Sequence, residues 1–158
     1  MLRLRERKCR PAKPLAVMFP SLDAVLEACR VDEACERELL ESRQAPIVLL
    51  RRKPHAATSL ACTSIAPDNP YLGAFLPYSP LHHLIAREFG GPLVATSGNL
   101  SEEPICTDEY EACRRLGAIV DVFLVHNRPI ARPVEDSVVR VMAGEPRVLR
   151  RARGYAPL

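Results

Sequence analysis

Short apolar runs that alternate with capped helical segments constrain the fold of this 158-residue chain more than any other feature. Each run spans five or six residues, which suits a strand buried on both faces better than a buried helix. The predicted strands cover 14–19, 46–51, 71–76, 92–96 and 120–125. Their alternation with helices predicts an α/β sheet flanked by helices.

Capping residues mark where the predicted helices begin. The helix starts are predicted at Ser21, at Asp32, at Ser79-Pro80 and at 107–109. For the third helix, the spacing predicts a buried stripe of Leu81, Leu84, Ile85 and Phe89. Polar loops are predicted over 52–70 and 97–106, and a β-hairpin joins 137–142 to 147–149.

The charges are unevenly distributed, although the whole chain carries only +3. Residues 1–13 carry +5 and residues 128–158 carry +4, whereas the stretch between them carries −6. Basic ends of this kind favour an anionic ligand or nucleic acid. No apolar run reaches the length of a membrane span, and residues 1–6 lack a secretory signal, so a cytoplasmic protein is expected.

The six cysteines lack the short paired spacing of a zinc site. They are interpreted as free thiols in a reducing compartment, and no metal ligand or catalytic residue is assigned. His82 and His83 open the third helix without a carboxylate or nucleophile at motif spacing, so they are interpreted as surface or cap-proximal histidines. Tyr78, in the Pro-rich segment before them, is a candidate pocket residue.

Two segments combine residue types that bind anions. On an extended segment before the first strand, Lys8 and Arg10 would point to one side and face one anion together. After the fourth strand, residues 95–101 bring small hydroxyls, an amide and glycine to the end of a buried strand, where α/β proteins bind ligands. The alternatives are a solvated basic face and a turn with local side-chain hydrogen bonds.

Two further segments lie near the carboxyl terminus. Pro129 and Pro133 stiffen a loop that presents Arg132, Asp136 and Ser137. The basic segment 147–155 is typical of solvated or nucleic-acid-binding tails.

Five collinear segments resemble the YrdC-like domain of the hydrogenase maturation carbamoyltransferase (HypF) family. They are Arg7-Lys8-Cys9-Arg10 with its continuation to Met18, and the segments 76–83, 95–105, 128–138 and 149–157. The resemblance implies one partial domain over 1–158, with a mixed, twisted α/β sheet that lacks its N-terminal elements. It also implies that the chain is a fragment or short reading frame, because HypF-like proteins are several times longer.

The resemblance implies an ATP-dependent enzyme with Mg²⁺, a carbamoyltransferase. Carbamate, derived from carbamoyl phosphate, reacts with ATP to give carbamoyl-adenylate, and a partner protein's C-terminal cysteine then accepts the carbamoyl group for nickel–iron hydrogenase maturation. The alternatives are a threonylcarbamoyl-AMP synthase for tRNA modification and a non-catalytic module that binds double-stranded RNA.

Site residues follow from the same resemblance. Lys8 and Arg10 match a phosphate-binding Lys-x-Arg pair, and Ser97 and Asn99 match a Ser-x-Asn pair beside the adenylate. The remaining matches are Thr107 near the nucleotide, Ser137 near the acyl group, and Arg150 near the phosphates, with Arg151 as the alternative register. Lys8, Arg10 and Arg150 are expected to converge on one nucleotide, which leaves Arg3, Arg5 and Arg153 as solvated charge.

Two positions separate the two enzyme alternatives. Phe75 stands where threonine-specific relatives tend to have arginine, so the partner for an amino-acid carboxylate is missing. Gly98 replaces the alanine usual in their Ser-x-Asn motif. Both departures favour the carbamoyl reaction.

Overall fold

The computed structural model describes residues 1–54, 64–101 and 103–157. The chain forms two compact units. One comprises Met1–Lys13 and Thr96–Glu135, and is called the terminal unit; the other comprises Pro14–Ala95 and Asp136–Leu158, and is called the sheet unit. The single partial domain predicted over 1–158 stays a prediction.

Seven described strands form one mixed sheet within the sheet unit. The strands are β1 (Ala16–Met18), β2 (Cys29–Arg30), β3 (Ile47–Arg52), β4 (Tyr71–Phe75), β5 (Leu93–Ala95), β6 (Val138–Met142) and β7 (Glu145–Arg150). Their order is β5-β1-β4-β3-β6-β7, and β2 pairs with β3. The β1–β4 and β3–β6 pairs are parallel and the other pairs antiparallel, so the predicted mixed α/β sheet is confirmed.

The helices begin close to the predicted capping residues. They are α1 (Leu2–Arg7), α2 (Leu22–Ala28), α3 (Ala34–Glu41), α4 (Pro80–Phe89) and α5 (Glu109–Leu116). The Ser21 and Ser79 side chains cap α2 and α4 as predicted, but Glu33 rather than Asp32 caps α3, in a capping box with Glu36. Helix α1 was not predicted. No described helix is long and apolar enough to cross a membrane.

The core of the sheet unit follows the alternation of side chains along its strands. Met18 and Phe75 occupy one face, where Ala86 of α4 packs against them. The opposite face carries side chains without solvent exposure, namely Val17, Val48, Leu50 and Leu72. This arrangement leaves β5 and β7 as the end strands of the described path.

Helix α4 is rotated relative to the predicted stripe. Ala86 is buried, whereas Leu84 and Phe89 are each 63% exposed. The prediction for these two residues is therefore wrong. The sequence spacing permits either face, and the small Ala86 lets the helix approach the sheet more closely than Leu84 would.

The terminal unit has a smaller core, built on Cys106, Leu116 and Ile119. The strand predicted over 120–125 does not form: Val122 is 81% exposed, and no described segment pairs with this stretch. Apolar composition favours a strand, but a strand needs a partner for its backbone groups. The predicted loop over 52–70 lies partly outside the described residues, and Cys62 lies wholly outside them.

Candidate functional site

The end of α1 sets the geometry of the Lys8 and Arg10 pair. Lys8 is the C-cap, and Cys9 follows it with φ of 49°. The amide of Cys9 donates to the carbonyl of Glu6, and the amide of Arg10 donates to the carbonyl of Arg5. These two bonds define a Schellman motif, in which glycine usually occupies the position of Cys9. The extended segment predicted here is therefore wrong, because a helix and a tight reversal replace it.

Both cationic side chains nevertheless reach the same hydroxyl. Lys8 Nζ lies 3.2 Å from Thr96 Oγ1, and an Arg10 guanidinium nitrogen lies 3.4 Å from the same oxygen. Lys8 Nζ also donates to the carbonyl of Ser97 at 2.6 Å, and Ser101 Oγ donates to the carbonyl of Lys8 at 2.8 Å. The terminal unit thus holds two like charges close together.

Burial makes this pair electrostatically costly. Lys8 is only 5% exposed, and this burial, with a smaller effect of the Arg10 charge, lowers its pKa. A nearby anion would relieve both effects, because it favours the charged form of lysine. A bound anion would therefore stabilise the arrangement of Lys8 and Arg10.

The loop after Thr96 is braced by its own side chains. Ser97 Oγ donates to Asn99 Oδ1 at 2.7 Å, and Asn99 Nδ2 donates to the carbonyl of Glu103 at 2.7 Å. The amide of Cys106 closes the loop on the carbonyl of Gly98. Ser97 and Asn99 are half-buried, so the loop presents them on a fixed backbone.

Thr107, the fifth predicted residue of the terminal unit, directly precedes the N-cap residue of α5. It is half-buried and adjoins Asp108, whose side chain caps the helix by accepting from the amide of Glu111 at 2.9 Å. The structure brings Lys8, Arg10, Ser97 and Asn99 together, and it places Thr107 at the start of the helix that follows their loop.

The two remaining predicted residues, Ser137 and Arg150, lie in the sheet unit. The Ser137 side chain is fully buried; its hydroxyl donates to the carbonyl of Arg153 and accepts from the amide of Ala152. Arg150 is exposed, and its Nε donates to the carbonyl of Asp136 at 2.8 Å. Ser137 therefore anchors the C-terminal segment, and the ligand roles predicted for both residues stay predictions.

Arg153 organises a cluster that the sequence did not indicate. Its guanidinium lies 3.6 Å from the centroid of the Tyr78 ring and donates two bonds, of 3.0 and 2.9 Å, to Asp136 Oδ1. The ring of His82 meets that of Tyr78 edge-on, and His82 Nδ1 is buried without a hydrogen-bond partner among the described residues. Burial lowers the pKa of His82. The sequence had singled out two members of this cluster, Tyr78 and Asp136, but not their contact with Arg153.

Two of the three arginines interpreted as solvated are structural instead. Arg153 is paired as described, and Arg5 is only 6% exposed. Arg3 is exposed, as predicted, and forms an ion pair with Asp121. Charge alone did not distinguish the three, because burial depends on acceptors brought close by the fold.

The mixed sheet with its flanking helices defines a class, the α/β proteins, and the terminal unit holds two neighbouring cations, Lys8 and Arg10. The Sua5–YciO–YrdC family model, described as "Telomere recombination", matches residues 1–152, and the chain belongs to this family. The resemblance inferred from the sequence is thereby confirmed.

Individual relatives within this family show a more specific similarity, to HypF proteins. The carbamoyltransferase HypF of Synechocystis sp. is 52% identical over 155 residues, which are 98% of this chain and 20% of that protein. A crystal structure of full-length HypF, in its phosphate- and nucleotide-bound form, superposes with a TM-score of 0.92 at 48% identity, over 99% of this chain and 24% of that one. The chain therefore spans about a fifth of the length of the curated relatives it matches.

A more distant structure supports the fold alone. P. abyssi Sua5, solved in complex with L-threonine, superposes with a TM-score of 0.76 at 21% identity, and covers 96% of this chain and 44% of that one. The similarity to HypF is thus much closer in sequence than the similarity to Sua5.

Proposed function

We propose that this chain binds ATP at the Lys8–Arg10 pair and forms carbamoyl-adenylate, as the adenylate-forming part of a carbamoyltransferase for nickel–iron hydrogenase maturation. One observation carries the proposal: Lys8 and Arg10 both reach the Thr96 hydroxyl, beside the braced Ser97–Asn99 loop. Two neighbouring cations suit a polyphosphate, because each offers several donors to its oxygens. The 52% identity to HypF supports the carbamoyl chemistry.

In the proposed step, a carbamate oxygen attacks the α-phosphorus of ATP. The bond from this phosphorus to the bridging oxygen breaks, and pyrophosphate leaves with the electron pair. Lys8 and Arg10 would stabilise the charge that develops on the phosphate oxygens, which is the main demand of such a transfer. No covalent nucleophile is needed.

Mg²⁺ would enter with the nucleotide. Among residues 1–54, 64–101 and 103–157, no three His, Cys, Asp or Glu side chains are grouped so that they could hold a metal ion. Bound to the phosphates, Mg²⁺ would supply charge neutralisation. The carbamate source and the acceptor cysteine would come from the other domains or partners of the longer relatives.

Phe75 argues against threonine as the acceptor. Its side chain is 4% exposed and packs with Met18 and Ala86 in the core of the sheet unit. An apolar ring at this position cannot pair with an amino-acid carboxylate. L-threonine is therefore expected neither to bind nor to stimulate the reaction.

Exchange of labelled pyrophosphate into ATP tests the proposed function. With ammonium bicarbonate as the source of carbamate, the wild-type chain should catalyse exchange, and L-threonine should not increase the rate. Exchange that depends on L-threonine would favour the threonylcarbamoyl alternative. Salt-sensitive binding of double-stranded RNA without ATP binding would favour the RNA-binding alternative.

A further inference from the structure

The buried Arg5 is connected to the Arg10 segment from two directions. Its carbonyl accepts a 2.9 Å bond from the amide of Arg10. One nitrogen of its guanidinium, Nη1, lies 2.9, 3.3 and 3.0 Å from the carbonyl oxygens of Arg10, Pro11 and Lys13, so that its two N–H groups are shared among three acceptors. Main chain and side chain of one residue thus hold the same short stretch.

This stretch, residues 10–13, has no regular secondary structure. It leaves the Schellman turn at Arg10 and continues through Pro11 without pairing with a strand. Its inward-facing carbonyls need donors, and a guanidinium offers several in one plane. Arg10 Nε in turn lies 3.4 Å from the carbonyl of Lys13, so the same turn holds the backbone and the side chain of Arg10.

Arg3 gives a natural comparison on the same helix. It lies two residues before Arg5 but is exposed, and its guanidinium pairs with the Asp121 carboxylate at 2.7 Å. Arg5 instead uses its charge on backbone carbonyls, at 6% exposure. Burying a guanidinium costs free energy unless its donors are satisfied, so its position needs an explanation beyond surface charge.

We propose that Arg5 is a positioning residue for the anion site: it folds residues 10–13 around its guanidinium and so holds the Arg10 side chain at the Thr96 hydroxyl beside Lys8. Arg5 acts through Arg10 and touches no ligand itself. The inference rests on the proposed function in one respect: it takes the bound anion to be ATP. The contacts that it explains are those of Arg5 and Arg10 within the chain itself.

The test combines Arg5→Met with Arg10→Ala in a double-mutant cycle, with Arg3→Met as the matched control. Arg5→Met should weaken ATP binding about tenfold in the wild-type background, since a displaced binding group loses its aligned contact. It should have no further effect in the Arg10→Ala background, because the group it positions is gone. Arg3→Met should leave ATP affinity unchanged. Arg5→Lys should recover part of the loss, because it retains a buried donor.

The pKa of Lys8, followed by NMR, gives a readout that needs no nucleotide. Arg5→Met should raise this pKa, since the Arg10 charge moves away, and should not change it in the Arg10→Ala background. An unchanged Lys8 pKa, or a loss of affinity equal in both backgrounds, would overturn the inference. If wild type binds no ATP, the proposed function fails while the Lys8 comparison still decides the role of Arg5. Arg5→Lys replaces Arg5→Met in every measurement if the latter does not fold.

Discussion

Lys8 Nζ donates a 2.6 Å hydrogen bond to the carbonyl oxygen of Ser97, which lies 89 residues further along the chain. This contact joins the end of α1 to the loop that follows β5. It keeps a buried cation in place beside Arg10, although burial lowers the pKa of Lys8. Such a cation is costly to the free protein and favours a bound anion.

Lys8→Met should separate binding from folding. ATP affinity should fall about 30-fold, because a hydrogen bond to a charged group contributes about 2 kcal/mol. The free energy of unfolding should change by less than about 1 kcal/mol, because removing a costly buried charge offsets the lost bond to Ser97. Calorimetry and urea unfolding measure the two effects, with the exposed Lys13→Met as control. A large loss of stability at unchanged affinity would make Lys8 a structural residue.

The pH dependence of stability should also reflect the lowered pKa of Lys8. The pKa of Lys8 in the folded chain lies below its ordinary 10.5, so the unfolded chain binds more protons just below that pH. The free energy of unfolding should therefore gain a rising contribution as pH approaches 10.5, and Lys8→Met should lack it. Urea titrations of the two proteins across this window provide the comparison. Identical slopes would show that the Lys8 environment does not differ between the two states.

Cys9 stands at the left-handed position of the Schellman turn, with φ of 49°. Cys9→Gly should stabilise the fold by about 0.5–1 kcal/mol, because relief of the left-handed strain exceeds the entropy that glycine adds to the unfolded chain. Cys113→Gly, within α5, is the control and should destabilise by about 0.3 kcal/mol, because glycine is a weaker helix former than cysteine. Opposite signs in urea unfolding are expected. A loss of stability in Cys9→Gly would contradict the turn geometry.

The sequence predicted the sheet and the pairing of Lys8 with Arg10 better than it predicted local geometry. Apolar runs reveal strands, but the run at 120–125 has no partner segment, and Val122 stays exposed. The turn at Cys9 was missed, because a cysteine gives no signal for the left-handed conformation that glycine usually adopts. Helix α1 has too few residues for an apolar period to be read.

The sequence also failed to show which arginines are buried, because burial depends on contacts that only the fold creates. Arg5 and Arg153 differ from Arg3 in the backbone carbonyls that the fold brings within reach of their guanidinium groups, since Arg3 also has a carboxylate partner. Residue type gives the number of donors but not whether acceptors will surround them. Their roles could be recognised only once the chain was folded.

Arg153→Met should destabilise the sheet unit by roughly 2 kcal/mol, since it leaves the half-buried carboxylate of Asp136 unpaired and exposes one face of the Tyr78 ring. Arg151→Met is the control, because Arg151 is exposed and makes a single bond to a backbone carbonyl. Thermal unfolding should show a lower midpoint for the first variant alone. Equal midpoints would mean that the Arg153 cluster adds nothing to stability.

Cys29 should resist alkylation in the folded chain. Its side chain is fully buried, and this burial raises its pKa to about 12, so the reactive thiolate is scarce at pH 8–9. Cys9 and Cys113 are exposed and should react with iodoacetamide. Mass spectrometry of peptides shows which cysteines are alkylated, in the folded chain and in urea. Modification of Cys29 as fast as Cys113 in the native chain would contradict its burial.

The most direct test of the central claim is calorimetric titration of ATP into the wild-type chain and the variants Lys8→Ala, Arg10→Ala and Asn99→Ala. We expect saturable binding to the wild type, and a loss of about tenfold or more in each variant at an unchanged fold, judged by circular dichroism. Wild-type binding that all three variants retain would place the nucleotide elsewhere and contradict the site assigned here.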